Sequence, residues 1–168
     1  MRHAALRTDR LILRPCATTD VEPLHELWRD RDVRRFLFDD RIISLDEARS
    51  FVSDSEGNFR DRGYGLWLCR EHGDEAIAGF AGFLGGSPAP NLIYGVRSAL
   101  SGRGYATEAA AAVLGYARTV LGIERVVADV DEPNVASIRV LEKLGLSRTR
   151  RAIVNGRPLL CFATGART

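Results

Sequence analysis

Apolar residues along this chain recur with two spacings, one near the 3.6 residues of a helical turn and one near the two residues of a strand. Residues 19–22 have the polar pattern of a capping box and precede a stretch with helical spacing. Residues 44–47 repeat this pattern ahead of a second helix. The side chains predicted to be buried on these two helices are Val21, Leu24, Leu27, Trp28, Ala48, Phe51 and Val52.

Shorter apolar runs between turn residues predict β-strands. Residues 72–74 predict a turn between two strands, residues 85–91 a polar loop, and Asn155-Gly156 the tight turn of a last hairpin. The predicted strands cover residues 11–14, 65–70, 76–84, 92–96, 125–130, 146–153 and 159–163.

Two more helices are predicted in the second half of the chain. The alanine-rich residues 105–121 form the longer one, and Asn134 and Gly145 have the residue types that begin and end the other. The pattern predicts an α+β fold, and without a repeat or linker we expect a single domain over residues 1–168. The side chains of the long helix predicted to face the sheet are Tyr105, Ala109, Ala112, Val113, Tyr116 and Val120.

Composition and charge narrow the class of protein. With 168 residues, 45% hydrophobic and 27% charged, the chain has the composition of a soluble globular protein. A net charge of +2 argues against a nucleic-acid partner, and the absence of a signal peptide or a long apolar run argues against a membrane partner. Three cysteines without Cys-x-x-Cys spacing predict neither a disulfide framework nor a metal site. The expected location is therefore the reducing cytoplasm, with the protein a monomer or a homodimer.

A glycine-rich turn is the first candidate for chemistry. The segment Ser101-Gly102-Arg103-Gly104-Tyr105-Ala106 joins the predicted strand 92–96 to the long helix. The first amides of a helix have no partner within it, so a strand, a glycine turn and a helix together favour a bound phosphate. A dinucleotide fingerprint would need glycine where Thr107 stands, and a Walker A loop would need a lysine, of which Lys143 is the only one. The turn by itself leaves open whether a ligand binds.

A second segment supports a ligand. Residues 125–146 contain Asn134-Val135-Ala136-Ser137-Ile138-Arg139-Val140-Leu141-Glu142-Lys143-Leu144-Gly145. Together with Gly102–Ala109 and the opening strand Thr8–Pro15, this segment resembles the GNAT superfamily of N-acetyltransferases, and among them the RimJ/RimL-type group. The resemblance extends over nearly the whole chain. It implies a mixed, mostly antiparallel sheet of six to seven strands with about four helices, splayed between the strand before the glycine loop and the strand before Asn134.

The resemblance also implies an activity. It is transfer of an acetyl group from acetyl-CoA, without a metal, to a primary amine that attacks directly in a ternary complex. The acceptor would be a protein N-terminal α-amine or a small-molecule amine. A protein that binds CoA or acetyl-CoA as a sensor, without turnover, is the alternative.

Particular residues would then have particular roles by resemblance. The backbone amide of Val96 would face the thioester carbonyl, and residues 94–97 would pair with pantetheine. Asn134, besides capping its helix, would contact pantetheine, and Ser137 would lie near the thioester sulfur as the proton donor to the leaving thiolate. The pyrophosphate would bind to the segment formed by Gly102, Arg103, Gly104, Tyr105 and Ala106.

The chain departs from the superfamily pattern in two places. Ser101 stands where the superfamily has Gln, Arg or Trp. Phe162 stands where a late tyrosine of the superfamily would donate a proton to the thiolate, and the nearest tyrosine to that position is expected to be Tyr116. Glu108 lies in the first turn of a helix, where the helix dipole stabilises a carboxylate and opposes a role as base.

The amine side of the site is predicted less specifically. We expect it to come from residues 30–46 and from the loop around Asn155-Gly156, with Asp39, Asp40 or Glu132 attracting a cationic amine. His25 falls between apolar positions, which predicts a partly buried structural side chain.

Overall fold

A computed structural model describes residues 5–86 and 89–165 of the chain. The five α-helices are α1 (Val21–Arg29), α2 (Arg31–Leu37), α3 (Leu45–Arg62), α4 (Tyr105–Thr119) and α5 (Val135–Lys143). Short 3₁₀ turns lie at Thr18–Asp20 and Ser98–Leu100. The eight strands are β1 (Leu6–Arg7), β2 (Leu11–Pro15), β3 (Leu66–Glu71), β4 (Gly79–Leu84), β5 (Asn91–Val96), β6 (Val127–Asp131), β7 (Leu146–Val154) and β8 (Arg157–Thr164).

All eight strands belong to one mixed sheet, in the order β1-β2-β3-β4-β5-β6-β8-β7. Neighbours are antiparallel except β5 and β6, which run parallel and pair only at Asn91 with Val127. A parallel pair needs a crossover connection, and α4 lies in that connection. Beyond their one pair the two strands separate, which confirms the predicted α+β fold and its splay.

Each face of the sheet is covered by helices and buries its own hydrophobic cluster. Because successive side chains of a strand point to opposite faces, Trp67 of β3 packs in the cluster that contains α4 side chains. Its neighbours Leu66 and Leu68 pack in the cluster that contains side chains of α1, α2 and α3. The two layers fix the central strands from both sides, so the opening between β5 and β6 lies in a rigid frame.

The predicted capping box at residues 44–47 is present, and the one at residues 19–22 is not. Ser44 Oγ accepts from the Glu47 amide at 3.1 Å, and Glu47 Oε1 accepts from the Ser44 amide at 3.4 Å. The Asp20 carboxylate instead accepts two hydrogen bonds from Arg14, at 2.7 and 2.8 Å. Thr19, the predicted cap, lies in the 3₁₀ turn Thr18–Asp20, and α1 begins at Val21 without a side-chain cap.

Three other expectations were wrong in detail. The long helix ends at Thr119, and Val120 is 64% exposed and does not face the sheet. Strand β1 and helix α2 were not predicted, so the fold has one strand and one helix more than expected. In the predicted loop 85–91, Asn91 belongs to β5, and residues 87 and 88 lie outside the described part of the chain.

Two kinds of feature are absent from residues 5–86 and 89–165. None of the helices there is long and apolar enough to cross a membrane. The same residues contain no cluster of His, Cys, Asp or Glu that could hold a metal ion.

Candidate active site

A cavity of about 620 Å³ opens where β5 and β6 separate. Its walls come from those two strands, the loop before α4 and the first residues of that helix, one side of α5 and one side of α2. Arg103 is the one predicted site residue that does not line it; its backbone oxygen instead accepts a hydrogen bond from Arg10. The predicted site residues that do line it are Val96, Gly102, Gly104, Tyr105, Ala106, Asn134 and Ser137.

The edge of β5 that faces β6 is available for pairing with a ligand. The amide of Arg97 donates to Ala78 on the β4 side at 2.8 Å. In an antiparallel ladder the N–H groups of alternate residues point to the same neighbour, so the amide of Val96 points to the β6 side. Beyond the Asn91–Val127 pair, no described strand pairs with that edge. An extended ligand entering the cavity therefore meets an open strand edge.

The loop before α4 presents uncovered backbone amides to the same cavity. Gly102 and Gly104 have φ angles of +78° and +83°, a region that favours glycine. Gly104 is the N-cap of α4, and no side chain caps this helix. The first amide bonded within α4 is that of Glu108, which donates to Gly104 at 3.1 Å. The amides before it lie at the positive end of the helix dipole, an arrangement that fits a phosphate.

Arg10, which the sequence did not single out, holds this loop from outside. Its Nη1 donates to the backbone oxygen of Arg103 at 2.8 Å, and its Nε donates to Glu108 at 3.2 Å. Its guanidinium carbon lies 4.5 Å from the centre of the Tyr105 ring, whose hydroxyl donates to Glu71. The Glu108 carboxylate lies in the first turn of α4, as expected, and it also forms an ion pair with Arg10, which was not predicted.

Asn134 and Ser137 meet at the start of α5. Asn134 Oδ1 accepts from the amide of Ser137 at 3.2 Å, so the predicted helix cap is present. The cap fixes the first turn of α5, and both side chains lie at the wall of the cavity. Ser101, where the family pattern has a larger side chain, donates its hydroxyl to the backbone oxygen of Ser98 at 2.9 Å.

A tyrosine that sequence reasoning missed lies beside Ser137. Tyr94 Oη lies 2.6 Å from Ser137 Oγ and donates to the backbone oxygen of Ser137 at 3.2 Å. Burial raises the pKa of Tyr94 to about 12, against the opposite effect of the Ser137 hydrogen bond. The phenol therefore keeps its proton at neutral pH. Tyr116, the tyrosine expected to be nearest, packs 5.4 Å from Trp67 in the core and does not line the cavity.

A second, smaller cavity of about 260 Å³ adjoins the first. The two cavities share Arg35, Phe36 and Asp131 as lining residues. The smaller one also has Asp40, Pro133, Arg157 and Pro158 in its walls. The predicted acceptor region 30–46 therefore contributes through α2 and Asp40. The predicted loop around Asn155-Gly156 contributes Arg157 and Pro158, which directly follow the turn.

The acids considered from sequence are engaged in ion pairs. Asp39 pairs with Arg157 at 2.9 Å, Asp40 with Arg34 at 3.0 Å, and Glu132 with Arg151 at 2.6 Å.

Asp131 was not considered from sequence, and it lies where the cavities meet. Burial raises its pKa, while nearby Arg157 lowers it and Asp39 raises it further. His25 has the structural role that was expected, with Nε2 at 2.7 Å from the backbone oxygen of Ile43.

Comparison with known protein families identifies the fold and its activity. The family described as "Acetyltransferase (GNAT) domain" matches residues 10–147. The chain belongs to this family. The GNAT resemblance seen in the sequence is thereby confirmed, and the protein is a GNAT-type N-acetyltransferase.

Individual relatives agree with the family. The uncharacterized N-acetyltransferase YnaD of Bacillus subtilis (strain 168) is 24% identical over 145 residues, which cover 85% of this chain and 82% of YnaD. The structure of an acetyltransferase from Agrobacterium tumefaciens str. C58 is similar at a TM-score of 0.84 and 23% identity, covering 98% and 96% of the two chains.

RimL, the ribosomal L7/L12 alpha-N-protein acetyltransferase, is also among the solved structures that share this fold. Its complex with coenzyme A has a TM-score of 0.79 at 21% identity, covering 95% of this chain and 97% of RimL.

Proposed function

We propose that this protein transfers the acetyl group of acetyl-CoA to a primary amine bound in the same ternary complex. The main observation in support of the proposal is that three features line one cavity between β5 and β6. It combines an open strand edge, the uncapped start of α4 and the Tyr94–Ser137 pair. An extended acyl donor with a phosphate at one end and a reactive thioester at the other matches that arrangement. The RimL complex with coenzyme A supports the choice of donor.

The donor would be held by backbone groups. The amides of residues 102–106 bind the pyrophosphate, and the free edge of β5 pairs with pantetheine. The amide of Val96 then faces the thioester carbonyl and stabilises the negative charge that develops on its oxygen. Asn134 caps α5 through Oδ1, which leaves its amide nitrogen free to donate to pantetheine. Arg103 contributes through its backbone, since its side chain does not line the cavity.

Acetyl transfer exchanges one bond for another. The amine nitrogen forms a bond to the carbonyl carbon, the carbon–sulfur bond breaks, and the nitrogen gives up a proton to water. The sulfur takes a proton from Ser137 Oγ, which lies 2.6 Å from Tyr94 Oη. This hydroxyl pair then regains a proton from water, which balances the proton that the amine gave up. A thiol of this kind has a pKa near that of cysteine, about 8.5, so the thiolate already leaves fairly well and the proton donor adds a modest factor.

The acceptor we propose is an amine that is appreciably neutral near pH 7. An α-amine has a pKa of about 7.7–8.0, whereas a lysine side chain has a pKa of about 10.4. Three of the four carboxylates considered for the acceptor side, Asp39, Asp40 and Glu132, form ion pairs. A protein N-terminal α-amine, as in RimL, or a small molecule of comparable basicity meets this condition without an enzyme base.

The test is thiol release from acetyl-CoA with separate panels of peptides, amino acids, polyamines and aminoglycosides. We expect release that depends on the amine and gives an acetylated product visible by mass spectrometry. Gly104→Val serves as the binding-defective control. Binding of acetyl-CoA without turnover on any panel would mean a sensor and would refute the proposed transferase.

A further inference from the structure

We propose that the amine acceptor carries an anionic group in the same molecule, with its amine bound by Asp131 and its anion bound by Arg35. This inference rests on the proposed function and names the substrate class of that site. The inference is based on the junction of the two cavities, which we define by the three residues that line both, Asp131, Arg35 and Phe36.

The junction is suited to deliver an amine to the thioester. Asp131 is the last residue of β6, at the end where β6 has separated from β5. Its side chain therefore connects the larger cavity, in which the donor would bind, to the smaller one behind it. An amine hydrogen-bonded to this carboxylate has access to the donor side, while the rest of its molecule occupies the smaller cavity.

Asp131 and Arg35 are the two charges at the junction that the fold leaves uncommitted. The other two charged residues that line the smaller cavity, Asp40 and Arg157, form ion pairs with Arg34 and Asp39. Among the described residues, neither the Asp131 carboxylate nor the Arg35 guanidinium has a side-chain hydrogen bond or ion pair with any other. One negative and one positive group thus line a shared space without an ion pair or a side-chain hydrogen bond.

The position of Arg35 is defined by its neighbour. Its guanidinium carbon lies 4.8 Å from the centre of the Phe36 ring, and Phe36 also lines both cavities. An arginine held over an aromatic ring loses less conformational freedom when it binds an anion. Its planar group matches the two oxygens of a carboxylate or phosphate.

Burial makes the Asp131 carboxylate a favourable site for a cation. Partial desolvation disfavours its charge, as the raised pKa indicates, and Asp39 adds to this while Arg157 opposes it. An ammonium or amine donor from the acceptor compensates that cost. The same geometry disfavours a polyamine, because a second ammonium group would lie near Arg35 rather than near another free carboxylate.

Size restricts the acceptor further. The smaller cavity has about 260 Å³, below the roughly 300–1,000 Å³ of sites that enclose drug-sized ligands. It therefore accommodates a small zwitterion such as a free amino acid, or the first residues of a chain that has an acidic side chain near its N-terminus. Both sources share one chemistry, an amine and an anion a few bonds apart.

The experiment compares acceptors that differ only in the anion. In one arm, each free amino acid is compared with the amine that lacks its carboxylate. In the other arm, each peptide that has Asp or Glu at its second position is compared with the peptide that has Asn or Gln there. Values of kcat/KM are expressed per neutral amine, so differences in amine pKa cancel. We expect the anionic member to be preferred at least tenfold in one arm, and that arm identifies the source.

Matched variants assign the preference to residues. Arg35→Gln should reduce the preference to within about twofold of unity without changing KM for acetyl-CoA, and Asp131→Asn should raise KM for every acceptor at least tenfold. The controls are Arg31→Gln, in the same helix but outside both cavities, and Glu132→Gln, next to Asp131 but paired with Arg151. Both controls should keep the wild-type preference.

Two results would overturn the inference. One is equal or better use of the amines without an anion. The other is an Arg35→Gln enzyme whose KM rises for acetyl-CoA and not for the acceptor, which would assign Arg35 to the donor phosphates. Calorimetric titration of each acceptor pair into the protein saturated with CoA gives the same comparison without turnover. Selective zwitterion binding without acetylation would retain this site and reject the proposed transferase.

Discussion

Removal of one hydroxyl tests the proposed proton path to the leaving thiol. Tyr94→Phe keeps the aromatic ring and removes the group that lies 2.6 Å from Ser137 Oγ and donates to Ser137 O at 3.2 Å. A net hydrogen bond is worth about 0.5–1.5 kcal/mol. If a contribution of that size is made in the transition state, kcat falls by about two- to tenfold, since about 1.4 kcal/mol corresponds to a factor of ten.

The assay is a double-mutant cycle of Tyr94→Phe and Ser137→Ala, measured by single-turnover kinetics so that chemistry limits the rate. Ser137→Ala alone should lower kcat by about tenfold or less, because the thiolate leaves fairly well unaided. The double variant should be no slower than Ser137→Ala, since Tyr94 acts through the serine. Both effects should shrink with an acetyl thioester whose thiol is more acidic.

Tyr64→Phe is the matched control. Tyr64 is buried and donates one hydrogen bond to the backbone oxygen of Gly85 at 2.8 Å, and it does not line the active-site cavity. Its loss should lower stability and leave kcat unchanged. Additive effects of Tyr94→Phe and Ser137→Ala, or an equal loss of kcat in Tyr64→Phe, would refute the relay.

Four further outcomes are expected. Gly104→Val should abolish the rise in melting temperature caused by CoA, because valine strains a φ of +83° and covers the amides of α4; an undiminished rise would contradict the phosphate site. Asn134→Ala should cost about 1 kcal/mol in urea unfolding through the lost cap and should raise KM for acetyl-CoA, whereas an effect on stability alone would leave it a purely structural residue. A plot of kcat/KM against pH should rise and level off at the amine pKa of each acceptor, about 7.7–8.0 for an α-amine and about 10.4 for a lysine; a plateau independent of the acceptor would indicate an enzyme base. The free energy of unfolding should fall as pH rises from 9 to 12, because burial raises the pKa of Cys16 to about 11 and of Cys69 to about 12. The unfolded chain therefore loses those protons at lower pH than the folded protein does. In urea unfolding, Cys69→Ala should lower the dependence of this free energy on pH, and an unchanged dependence would exclude the Cys69 thiol as the cause.

Features that depend on a few residues adjacent in the chain were predictable from the sequence. The glycines at 102 and 104, the cap formed by Asn134 and the capping box at Ser44 each depend on a few successive residues. Most strands were predicted within a few residues for the same reason, since their alternation is local. The resemblance added the topology and the open edge of β5, which alternation alone does not specify.

Tertiary structure decided the contacts between residues far apart in the chain. Tyr94 and Ser137 are separated by 43 positions, and Arg10 and the oxygen of Arg103 by 93. No local pattern distinguishes such a tyrosine or arginine from one on the surface. The capping box predicted at residues 19–22 was wrong because Thr19 lies inside a 3₁₀ turn, whose Asp20 is bound by Arg14 of β2.

The sequence by itself determined the glycine loop that we propose for the donor, and the tertiary structure decided which residues form the proposed acceptor side. A loop of uncovered backbone amides is continuous in the chain, so its glycines predict it. The junction of Asp131 and Arg35 joins the end of β6 to α2, and its charges matter because Asp39, Asp40 and Glu132 form ion pairs with arginines. Which charges remain unpaired depends on the packing of the whole molecule, because each ion pair removes a charge that the sequence alone would count as available.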